Sequence, residues 1–74
     1  MTKMKLTVTV IHVPLSGGFW GLKDDQGREY LPINLEEKYA KPALRLEIMA
    51  KEVEDYFSVQ MWGTPIEILE LKVI

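Results

Sequence analysis

One histidine, two serines and no cysteine are what this chain offers for a Ser-His or Cys-His pair. His12 could serve as a general base for Ser16 or Ser58, but their spacing sets up no Ser-His-Asp arrangement, and without cysteine a Cys-His pair is impossible. With apolar Val10, Ile11 and Val13 around it, His12 reads as a structural or surface histidine. Gly17-Gly18-Phe19-Trp20-Gly21 lacks the lysine and hydroxyl residue of a phosphate-binding loop. Carboxylates cluster at Asp24-Asp25, at Glu36-Glu37 and at Glu52, Glu54 and Asp55. Adjacent acids in turns are solvated turn formers or helix-terminus charges, and Asp24-Asp25-Gln26-Gly27 lacks the alternating ligands of a calcium loop. No catalytic residue, metal ligand or cofactor is therefore expected, and the chain reads as a non-enzyme.

The aromatic residues carry more recognition chemistry. Phe19 and Trp20 lie between glycines, and Tyr30 and Trp62 follow at a distance. Large rings usually bury most of their area when a small core needs it, so Trp20 and Trp62 are expected as core or barrel-end plugs, with Gly21 letting a bulky side chain lie over the strand. The sharper expectation makes Phe19 or Tyr30, with Lys23 and Arg28 nearby, a stacking platform on the second and third strands, and the candidate binding residues are Phe19, Trp20, Lys23, Arg28, Tyr30 and Trp62. Nine Lys and Arg against eleven Asp and Glu give a formal charge of −2, whereas nucleic-acid binders concentrate positive charge. A nucleic-acid partner is thus possible but disfavoured, and a protein partner or a second copy of the chain is preferred.

Those side chains need a scaffold. Seventy-four residues make one small domain, and with no disulfide available its stability must come from packing a 47% hydrophobic sequence. Cysteine-free composition suits the cytoplasm. The Leu6 to Val13 run is too interrupted for a signal peptide, and no segment approaches the roughly 20 apolar residues of a membrane span. Leu6, Val8 and Val10 alternate with polar residues as in a half-buried strand, and near Ile11 the phase is lost. This indicates either a bulge or a strand passing between two packed surfaces.

Phe19 to Lys23 and Arg28 to Ile33 read as a hairpin around a type I turn with Gly27 left-handed. In the favoured register Lys23 faces Glu29, Leu22 faces Tyr30 and Trp20 faces Pro32. Both hairpin faces are then apolar, and the pattern does not say which turns inward. Asn34 with Glu37 resembles a capping box opening a short helix that Pro42 stops. Leu44 to Ala50 alternates as a strand, Lys51 to Asp55 reads as an acidic turn, and Tyr56 to Trp62 reads as a further strand. A last strand, Ile66 to Ile74, is apolar at 66 and 68 and then at 69, 71 and 73, a second change of phase.

Strands with one helix between the third and fourth form the layout of a five- to six-stranded OB-like Greek-key β-barrel, mainly β and a single domain over residues 1–74. The stretches "GGFWGL", "DDQGREYLPINL" and "MWGTPIEI", in this order, resemble a group of short, stand-alone prokaryotic OB-like proteins with no assigned activity. The resemblance runs from about Val13 to Ile68 and rests on turn and core signatures. It implies the barrel and leaves function to the residues. Two functions are expected: a non-catalytic binding module using apolar residues of the strand 2–3 hairpin or the C-terminal strand, and, as the alternative, weak single-stranded nucleic-acid binding.

Overall fold

A computed structural model describes residues 3–15, 17–54 and 62–74. The expected strand Tyr56 to Trp62 lies outside them apart from Trp62, as does Asp55. Five strands, β1 (Lys3–Val13), β2 (Phe19–Asp24), β3 (Glu29–Pro32), β4 (Arg45–Glu52) and β5 (Thr64–Val73), close into a barrel in the order β1-β2-β3-β5-β4. The mainly β barrel expected from the pattern is the fold observed. Val8, Val10, Leu22, Tyr30, Leu46, Ile48, Ala50 and Ile66 fill its interior. Among the described residues no helix is long and apolar enough to cross a membrane.

The loss of phase in β1 has a simple cause. Its register with β2 runs without a shift from Val8 opposite Asp24 to Val13 opposite Phe19, so there is no bulge. Val8 and Val10 point into the barrel, whereas Ile11, opposite Gly21, and Val13, opposite Phe19, share the outer face. Val13 is nonetheless only 6% exposed. The strand therefore serves an inner and an outer apolar layer in succession, the second of the two expectations.

The change of phase in β5 is a true bulge. Ala50 faces Ile68 and Met49 faces Glu70, leaving Leu69 as the extra residue. One added residue reverses the alternation, so Ile66 and Ile68 before it and Leu71 after it all turn toward the core.

The hairpin register is as expected at Leu22 with Tyr30 and Lys23 with Glu29. Gly27 has φ +84° and its N–H donates to the Asp24 carbonyl at 3.1 Å. Asp24 Oδ1 also accepts the N–H groups of Gln26 and Arg28, both at 2.9 Å. The expected pairing of Trp20 with Pro32 does not form, because the ladder stops at Leu22 and Tyr30. Asp24 N–H bonds to the Arg28 carbonyl, so alternate residues Leu22 and Trp20 also aim their backbone at β3. Opposite Trp20 the partner would be Pro32, which has no N–H to give. From there β3 turns to β5, pairing in parallel at Tyr30 with Thr64, Leu31 with Pro65 and Pro32 with Ile66.

The helix expected between β3 and β4 is a single 3-10 turn, Glu37–Tyr39, preceded by Glu36 with no side-chain cap. The Asn34 capping box is overturned. Asn34 Nδ2 donates to the Ile68 carbonyl at 2.9 Å, and the Ile68 N–H donates to Asn34 Oδ1 at 2.8 Å. A side-chain amide has the donor and acceptor of a peptide group, so Asn34 carries the β3 ladder one step further along β5. With that side chain committed elsewhere, and Pro42 close behind, the segment makes only one turn. Leu35 and Tyr39 still pack against the core.

Candidate functional site

The divergence of β2 from β3 opens a cleft of about 370 Å³ lined by Phe19, Trp20, Leu31, Pro32, Ile33, Leu35, Glu37 and Ala40. Its side chains are hydrocarbon apart from the Trp20 indole N–H and the Glu37 carboxylate, and polar atoms share the exposed surface with them. Phe19 and Trp20 come from the part of β2 that β3 leaves unpaired, and Ile33 and Leu35 come from the connection that leads to the 3-10 turn. Ile33 is 38% exposed, an unusual setting for an isoleucine beside two aromatic rings.

The two faces of the hairpin are resolved by what covers them. Leu22 and Tyr30 turn inward and join the core, with Trp20 packed against it. On the outer face a Cβ at Gly21 would overlap the six-membered ring of Trp62, so glycine lets that ring approach the strand closely. The Trp62 ring meets Phe19 edge-on, with centroids 5.6 Å apart. Trp20 meets His12, its cross-strand partner, in the same way at 5.1 Å. His12 is exposed and caps this end of the barrel.

Of the residues expected to bind, Phe19 and Trp20 share the cleft and Trp62 stands against Phe19 on the outer face. Tyr30 is 7% exposed, with its ring in the core and its hydroxyl 3.5 Å from Asp24 Oδ2. Lys23 and Arg28 lie at the hairpin tip, four strand positions from Phe19 in the case of Lys23, or roughly 13 Å along the strand. Arg45, also exposed, pairs with Asp25 at 3.3 Å across the same tip. Leu31, Pro32 and Ile33 fall within the apolar hairpin expected to bind without being singled out there, and Leu35 was missed. Pro32 was the available signal, since a proline cannot continue the ladder toward Trp20.

Among the described residues no three His, Cys, Asp or Glu side chains are placed to hold a metal ion. Comparison with family models, curated proteins and solved structures returns no match for this chain.

Proposed function

We propose that the chain is a non-catalytic, OB-like binding module that takes an apolar segment of a protein partner into the cleft between β2 and β3. The supporting observation is the convergence of Phe19, Trp20, Leu31, Pro32, Ile33 and Leu35 around an open space with a single charged group, Glu37. Ligand sites are mostly apolar with few polar groups, and exposed apolar patches tend to mark interfaces. Barrels with this strand order and a lid between the third and fourth strands commonly bind on strands 2 and 3. The three sequence stretches that resemble stand-alone prokaryotic OB-like proteins fit this reading, as does a cysteine-free chain working in a reducing cytoplasm.

Single-stranded nucleic acid is the second reading, carried by the partly exposed Phe19 and Trp62 pair. It has less support, because Lys23 and Arg28 sit at the other end of β2, where a strand stacked on Phe19 would gain little phosphate neutralisation.

The test is amide chemical-shift mapping with a peptide of alternating valine and threonine carrying one arginine, beside oligothymidylate. The peptide is expected to move the Phe19, Trp20, Ile33 and Leu35 amides, and Phe19→Ala to weaken binding about tenfold. Silence in the cleft with this peptide at millimolar concentration overturns the proposal. Tryptophan quenching by oligothymidylate that salt reverses would favour the second reading.

A further inference from the structure

We infer that the end of β5 is a self-complementary edge through which two copies of the chain pair in antiparallel fashion. The inference concerns a surface apart from the cleft and does not depend on it. The β3 ladder along β5 ends at Ile66, and the Asn34 side chain extends it only to Ile68. Past the Leu69 bulge, β5 keeps β4 on one side as far as Val73, and the Ile74 N–H donates to the Arg45 carbonyl. Because Ile74 aims its backbone at β4, alternation directs the N–H and C=O groups of Leu71 and Val73 to the other side. Among the described residues no strand lies there. A depression of about 260 Å³ bordered by Asn34, Tyr39, Leu69 and Leu71 runs beside it. Unpaired strand edges of this kind are templates for another chain.

Three properties select a second copy as the occupant. Leu69, Val73 and Ile74 are 38%, 50% and 56% exposed, so the edge is flanked by uncovered apolar side chains. Glu70 and Lys72 lie on the outer face, and neither joins an ion pair among the described residues. Finally, a twofold axis through Leu71 matches the edge to itself. Leu71 then exchanges two backbone hydrogen bonds with Leu71 of the second copy, Leu69 lies opposite Val73, and Glu70 lies opposite Lys72, twice. The charged pairs fall at the non-hydrogen-bonded positions, where facing side chains are closest. Moving the axis to Lys72 would oppose two lysines, so charge fixes the register. So short an edge buries less than the roughly 1,200 Å² of a standard interface, which makes the dimer transient.

Sedimentation equilibrium up to about 1 mM protein reads this association, since dimer population follows concentration. The wild-type chain is expected to dimerise, Glu70→Lys and Lys72→Glu each to weaken dimerisation about tenfold, and the double variant to restore it. Both positions are on the surface, and circular dichroism of each variant reports that the barrel is retained. A wild-type chain monomeric at the highest concentration overturns the inference. So does a dimer indifferent to the charge reversals, including one that Phe19→Ala abolishes, which would place the contact at the cleft.

Discussion

The two ends of the β2–β3 hairpin are held by different means. At the tip the turn closes on its own backbone: Asp24 partners Gln26, Gly27 and Arg28 through its carboxylate and carbonyl, and the remote contribution is an exposed Arg45–Asp25 ion pair. At the stem the ladder lacks a donor at Pro32, and Trp62, which enters from the far side of β4 in the chain, lies over Gly21. The tip is closed by short-range hydrogen bonds and displays charge. The stem depends on a distant residue and leaves an apolar cleft open. Local closure and an open site exclude each other here, so the candidate site occurs where short-range hydrogen bonding runs out.

Changes at each end test this contrast. The largest effect is expected for Gly21→Val, which drives a branched side chain into the Trp62 ring and costs about 2–3 kcal/mol in urea unfolding. Combining it with Trp62→Ala should recover part of that loss, a coupling read by a double-mutant cycle. At the tip, Asp24→Ala removes two water-exposed bonds to the turn amides and a long one to the Tyr30 hydroxyl, and a loss of about 1 kcal/mol is expected. If the tip variant proved the costlier, the stem would not depend on the ring. The smallest effect should be that of Pro32→Ala, under about 1 kcal/mol in stability. Its sharper readout is hydrogen exchange: the new amide at position 32 gains protection by donating to Trp20, and the cleft narrows.

Much of the barrel was legible because its signals are short-range. Gly27, with Lys23 opposite Glu29, fixes the hairpin register within a few residues. The apolar sequence at 66, 68, 69, 71 and 73 shows the alternation inverting within β5, and the Leu69 bulge is its cause, whereas the similar change in β1 involves no bulge. The rest depends on partners remote in sequence. Asn34 carries the local signature of a helix cap, and only folding brings Ile68 to outcompete the Glu37 backbone for its amide. Likewise both hairpin faces are apolar, and the choice between them follows from Trp62 covering Gly21, a contact that no periodicity within β2 or β3 encodes. The aromatic half of the candidate site could be read from Phe19 and Trp20. Its opposite wall, Ile33 and Leu35, could not, because it forms only when the expected helix gives way to a single turn.

The Asn34 carboxamide also frees the architecture from a constraint. A closed sheet ordinarily needs matched strand lengths around its girth, yet here one amide supplies the next rung and lets a four-residue β3 suffice. The chain beyond it is released from extended geometry and can serve as a cover across the mouth. Barrel closure and lid design thus become partly separable: the stretch between Leu35 and Ala43 could be lengthened, provided that position 34 keeps its amide, Leu35 and Tyr39 still reach the core, and Ala43 and Leu44 keep their backbone bonds to Val10.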